Sequence, residues 1–136
     1  MRPRVLLVLV SITCVACVPS TERIHSQLRA ATRSDAALDC GSVSLSHRAE
    51  PSSACAAAAL ASRKPFFVAF QLQGIDSQIW EGLAFGGDGQ AQVVRFDSDP
   101  SGGRRFFPRP RLAVAPCASP ALPAQLGGPI RCGVGR

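Results

Sequence analysis

The string Asp97-Ser98-Asp99-Pro100-Ser101-Gly102 sets three oxygen-bearing side chains at alternate positions ahead of a glycine. That spacing opens a calcium loop, in which alternate residues point inward and glycine makes the sharp bend. Asp97, Asp99 and Ser101 are therefore candidate metal ligands. The match stops at the twelfth position, where a helical calcium loop needs a bidentate Glu and this chain has Pro108. Asp, Ser, Pro and Gly also build turns without any metal, and that use is the favoured one. Asp76, Glu81, Asp88, Asp97 and Asp99 are close in sequence, and two carboxylates can share acid–base work. A hydrolase or calcium-dependent enzyme on the Asp76–Asp99 carboxylates is accordingly the alternative function.

The segment after this string is basic and aromatic. Arg104, Arg105, Arg109 and Arg111 surround Phe106 and Phe107, with Pro108 and Pro110 between them. Guanidinium forks suit phosphate oxygens, and the Phe pair could insert beside them, so the four Arg are candidate contacts to an anionic surface. The favoured expectation is nevertheless a solvated loop between strands, its Phe pair folded back on the sheet, with Pro108 and Pro110 as a rigid connector. Hydrolysis by a nucleophilic serine finds little support. His25 and His47 are the two imidazoles, and nothing in the pattern sets either beside Ser77 or Ser98. No Gly-x-Ser-x-Gly, phosphate-loop or His-Glu-x-x-His string occurs. No cofactor is expected.

Four cysteines follow residue 17: Cys40, Cys55, Cys117 and Cys132. An even count in a small exported domain indicates two disulfides. Three pairings are open, and the similar spacing within Cys40–Cys55 and Cys117–Cys132 favours the local one. A zinc site is the weaker option because there is no Cys-x-x-Cys.

Export is indicated at the other end of the chain. Met1-Arg2-Pro3-Arg4 is a positive start, and Val5–Thr13 is almost unbroken apolar chain. Its length suits a signal peptide and falls short of the ~20 residues that span a bilayer. Ala16 then precedes Cys17, while Cys14 follows Thr13. Residues 1–16 resemble the signal peptides of bacterial lipoproteins, which implies that Cys17 becomes the lipidated first residue; the less favoured alternative is an ordinary secretory signal with an incidental Cys. Cys14 departs from that pattern, standing where Leu or Val is usual. Loss of Arg2 and Arg4 would lower the +6 charge of the whole chain by two. The remaining basic charge is assigned to solubility or anionic envelope surfaces, because an exported protein does not meet nucleic acid.

The elements that hold these residues can be read in order. Residues 17–39 are Ser-, Thr-, Ala- and Arg-rich with sparse apolar positions (Ile24, Leu28, Leu38), and are expected to be a flexible tether, with a short helix over 22–31 as an option. Residues 40–117 form the domain. Cys40–Ser46 alternates weakly as a strand, and Glu50-Pro51 opens an Ala-rich helix that reaches Arg63 and stops at Pro65. Three strands follow over Pro65–Gln73, Gln78–Phe85 and Gln90–Phe96, with Gly86-Gly87-Asp88-Gly89 as a hairpin turn. Leu112–Ala115 is a candidate fourth. Residues 118–136 are Pro- and Gly-rich and expected to be irregular.

The expected fold class is α+β: one Ala-rich helix packed on a three- to four-stranded antiparallel β-meander, with two disulfides. The domain, with its spaced Cys and its GIDS and DSDPSGG turns, is similar to small bacterial lipoproteins of uncharacterised function. That resemblance implies a lipid-anchored envelope protein, on the outer membrane where one exists, with the domain facing the periplasm or the cell surface. It implies no activity. The expected function is a non-catalytic binding module whose partner is an envelope protein or an anionic envelope surface, beyond the membrane that holds its lipid.

Overall fold

The computed structural model describes residues 19–46, 48–104, 106–107 and 109–133. The signal segment with Cys14 and Cys17, as well as His47, Arg105 and Pro108, lies outside the described residues.

Strand β2 (Phe66–Leu72) is the centre of the molecule. Its first five residues are all buried, because helices cover both faces of the sheet it belongs to. A strand covered on both sides is a continuous apolar run rather than an alternating one, as FFVAF is. It pairs antiparallel with β3 (Ile79–Phe85), which pairs with β4 (Ala91–Asp97), which pairs with β5 (Arg111–Pro116). These four strands are the expected meander, with the candidate fourth strand included. On the other side of β2 lies β1 (Leu38–Val43), which runs parallel to it. The sheet therefore has five strands in the order β1-β2-β3-β4-β5 and is mixed, not purely antiparallel. The reason is the helix between β1 and β2, which carries the chain back so that β2 starts at the same end as β1.

That helix is α2 (Glu50–Ala61), with Pro51 in its first turn. It buries Ala56 and Ala59 against Phe66, Val68 and Phe70 on one face of the sheet. Small side chains let the helix come close but contribute little area each. The bridge from Cys55 on α2 to Cys40 on β1 fastens this layer, with Cα atoms 5.5 Å apart. Beside α2, the same face is covered by the C-terminal segment, whose Ile130 and Cys117 join the same cluster. Cys117 bridges to Cys132 with Cα atoms 5.0 Å apart. The segment is otherwise irregular, apart from a two-residue pairing of β6 (Pro120–Ala121) with β7 (Arg131–Cys132).

The opposite face corrects the expectation of a single helix after a loose tether. Ser20–Thr32 is a second helix, α1, and it packs on β2, β3 and β4. Its two large apolar residues, Ile24 and Leu28, are fully buried among Phe67, Trp80, Val94 and Phe96. Two residues one turn apart make a narrow ridge, and the sequence undersells it because the groove that receives it is in the sheet. Further contacts hold the end of α1. Arg33 adopts the left-handed conformation there (φ 51°) and pairs with Asp88 at 3.2 Å, and Gly87 donates to Thr32 O. Glu22 in the first turn and Arg29 in the last also complement the helix dipole. The result is three layers: α1, the sheet, and α2 with the C-terminal segment.

Candidate functional site

Two places in this framework gather side chains that can do chemistry. The first is the connection from β4 to β5, residues 98–110, which holds most of the residues singled out in the sequence. Ser98 closes its start, accepting from Gln78 N at 2.8 Å. Asp97 Oδ1 accepts from Asp99 N at 3.0 Å. Asp99 Oδ1 accepts from Ser101 N and from the Ser101 hydroxyl, while its Oδ2 accepts from Gly103 N at 2.8 Å. These carboxylates are thus turn acceptors, bonded to the loop that contains them. Among the described residues, no group of three or more His, Cys, Asp or Glu side chains could hold a metal ion.

The acids of the alternative function are also dispersed. Asp76 is exposed in the β2–β3 turn. Asp88 binds Gln90 N and Arg33 at the next turn. Glu81 is buried in β3, where it accepts from Ile130 N at 2.7 Å and lies 3.7 Å from Arg95. Asp88 and Glu81 are thus engaged by their own neighbours.

Two of the segment's four basic residues do come together. Arg109 and Arg111 line a 330 Å³ cleft with Pro100 and Ser101. Arg111 and Pro100 also line an adjoining 200 Å³ cleft with Arg95, Asp97 and Ala113. Arg104 is exposed, and Arg105 is outside the described residues. The Phe pair is not folded back: Phe106 and Phe107 are 98% and 83% exposed, with ring centroids 6.2 Å apart. A third cleft, of 230 Å³, connects this segment to the first half of α1, with Arg23, Ser26 and Gln27 on one side and Pro110, Arg111 and Leu112 on the other. The start of the described chain and the basic–aromatic segment therefore lie at the same end of the molecule. A larger cleft, 610 Å³, sits elsewhere, between the start of α2 and residues 123–126, with Arg48 and Glu50 as its charged groups.

The second place was not visible in the sequence. His25 of α1 faces β1, and its Nε2 is hydrogen-bonded to Ser42 Oγ. Its Nδ1 lies 3.6 Å from Asp39 Oδ2, an ion-pair distance longer than a formed hydrogen bond. The imidazole rests edge-on against Phe67, centroids 5.6 Å apart, beside the Arg29 guanidinium 5.5 Å from the same ring. Asp39 and Ser42 are three residues apart and would face opposite ways in a regular strand. They share a face because the register shifts between them: Asp39 pairs with Phe67 and Ser42 with Ala69. Three steps on β1 thus match two on β2, a one-residue bulge in which Gly41 takes a φ of +90°. Asp39 Oδ1 accepts from Gly41 N at 2.8 Å and so orients its own carboxylate. The one available signal was Gly41 inside a short strand pattern, which marks a bulge.

No protein-family model matches this chain, and no curated protein or solved structure does either.

Proposed function

We propose that this protein is an envelope protein, anchored by a lipid on Cys17, that contacts an anionic surface through residues 104–111. The observation that carries this reading is the exposed Phe106–Phe107 pair among arginines, at the end of the molecule where α1 begins. Cys17 is two residues before Pro19, and so little chain reaches at most about 7 Å. An anchor there would hold the first turns of α1, and with them the basic–aromatic segment, against the surface of the same membrane. Each Arg near an anionic leaflet is worth about 1 kcal/mol, and each Phe ring adds apolar area once it enters the headgroup layer. Two disulfides fit a location outside the cytoplasm. Among the described residues, no helix is long and apolar enough to cross a membrane.

Two measurements test this. Intact mass separates the lipidated protein from Cys17→Ser, and a wild-type chain without a diacylglycerol-sized increment refutes the anchor. For the surface, the chain from Val18 onward is floated with phosphatidylglycerol-containing vesicles and with pure phosphatidylcholine vesicles. Recovery is expected only with the anionic vesicles. It should fall with salt and in a variant combining Arg104→Ser, Arg109→Ser, Arg111→Ser, Phe106→Ser and Phe107→Ser. Equal recovery of that variant removes residues 104–111 from the reading.

A further inference from the structure

The geometry points to a second, catalytic capacity: Ser42, His25 and Asp39 form a nucleophile–base–carboxylate set able to cleave esters presented from solvent. Such a set is recognised by roles and geometry on unrelated folds rather than by order in the chain, which here is His25, Asp39, Ser42. Each role has its atom. Ser42 Oγ is bonded to Nε2, the nitrogen that must take its proton. Asp39 Oδ2 faces Nδ1 from the other side of the ring, favouring the tautomer with its proton on Nδ1 and leaving Nε2 free to accept. Phe67 backs the ring, and α1 carries it on a helix whose neighbours Ile24 and Leu28 are fully buried, so the base is held on a rigid element. The bulge at Gly41 is the device that turns Asp39 and Ser42 to one side, and bulges re-aim side chains beside active sites.

The reaction balances without any further reagent. Ser42 Oγ attacks the ester carbonyl carbon, and its proton passes to His25 Nε2. The tetrahedral oxyanion collapses, the ester C–O bond breaks, and the alcohol leaves with the proton held at Nε2. Water then attacks the acyl-serine while His25 takes its proton. The carboxylic acid departs and Ser42 recovers its hydrogen. The sum is ester plus water to acid plus alcohol. An ester is the fitting class because Ser42 is exposed at the sheet edge, where solvent weakens stabilisation of an oxyanion, and an ester's alkoxy group needs less help from a general acid to leave than an amide's nitrogen does. Strand β1 has a ladder partner on one side only, so Ser42 sits at a sheet edge that a substrate can approach.

The test uses the mature protein, kept in detergent, and a fluorophosphonate probe, with p-nitrophenyl acetate as the ester. The probe forms a P–O bond to Ser42 and releases fluoride, and tandem mass spectrometry assigns the adduct among Ser42, Ser44 and Ser46. An adduct on Ser42 is expected, absent in Ser42→Ala and retained in Ser44→Ala. His25→Gln should slow labelling and ester turnover about 100-fold or more, the scale of a lost general base. Asp39→Asn should slow both by a smaller factor, and it decides the matter if circular dichroism shows His25→Gln to be unfolded. Absence of an adduct on Ser42, or labelling at an unchanged rate in a folded His25→Gln or Asp39→Asn protein, overturns the proposal and leaves the three residues as a pin between α1 and β1.

Discussion

Gly82 on β3 lies directly beneath Leu28 of α1. A Cβ at this position would stand 2.4 Å from Leu28 Cδ1, 2.7 Å from Cδ2 and 2.9 Å from Val68 O. The helix can seat its narrow apolar ridge only because the sheet leaves this gap. Gly82→Ala should cost about 1–3 kcal/mol through overpacking. Leu28→Ala alone should cost about 2–5 kcal/mol. The double variant should lose less than the sum, because the new methyl group fills space that Leu28 vacates. Urea unfolding of the three variants measures this, and strict additivity would show that the two residues do not share the gap.

Glu81 is the polar counterpart on the other face. It is buried in β3, and its Oε1 receives Ile130 N–H from the C-terminal segment at 2.7 Å. Arg95, 3.7 Å from its other oxygen, is half exposed, so water screens that pair and the backbone bond is the firmer tie. Glu81→Ala would leave the Ile130 N–H without its acceptor, an effect of about 1–3 kcal/mol. Hydrogen exchange offers a local readout: protection of the Ile130 amide should drop far more than that of amides in β2. A uniform drop would mean that Glu81 serves the whole core rather than the docked segment.

These two contacts show what could be read from the sequence and what could not. Strands β2 to β5 and α2 were legible, because short apolar runs bounded by Gly- and Asp-containing turns and a run of alanine are local signals. The two disulfides were legible from count and spacing. Helix α1 was not, since Ile24 and Leu28 look too sparse until Gly82 is known to lie under them. The parallel pairing of β1 was hidden for a related reason: β1 is short and bulged, and its partner lies beyond a helix. The basic–aromatic segment was legible as composition, while the exposure of its Phe pair depends on how 98–110 leaves the sheet. His25, Asp39 and Ser42 needed both missing pieces at once, the docking of α1 and the bulge at Gly41.

Asp99 decides how residues 100–104 are presented. Its two carboxylate oxygens hold Ser101 and Gly103 in one tight turn just before Arg104. Millimolar calcium should therefore leave the melting temperature unchanged, since an ion would have to displace these donors. Asp99→Ala should instead reduce stability by about 1–3 kcal/mol through loss of bonds to a charged acceptor, and should also lower recovery on anionic vesicles. A rise in melting temperature with calcium that disappears in Asp99→Ala would restore the metal reading of Asp97, Asp99 and Ser101.

The Cys117–Cys132 bridge and the Glu81–Ile130 bond hold the same segment by different means. The bridge joins residues 15 apart in sequence. By the chain-entropy estimate, a loop of that size contributes about 3 kcal/mol, acting on the unfolded state. The hydrogen bond acts on the folded state and needs the segment already in place. Replacing both cysteines by serine should therefore lower global stability by about 3 kcal/mol and also shrink the measured cost of Glu81→Ala, because a segment that frays more easily makes that bond less often. A double-mutant cycle by urea unfolding reads the coupling directly. Additive effects would show that β6–β7 and Ile130 keep the segment docked without the bridge, and that the disulfide does no more than limit the unfolded chain.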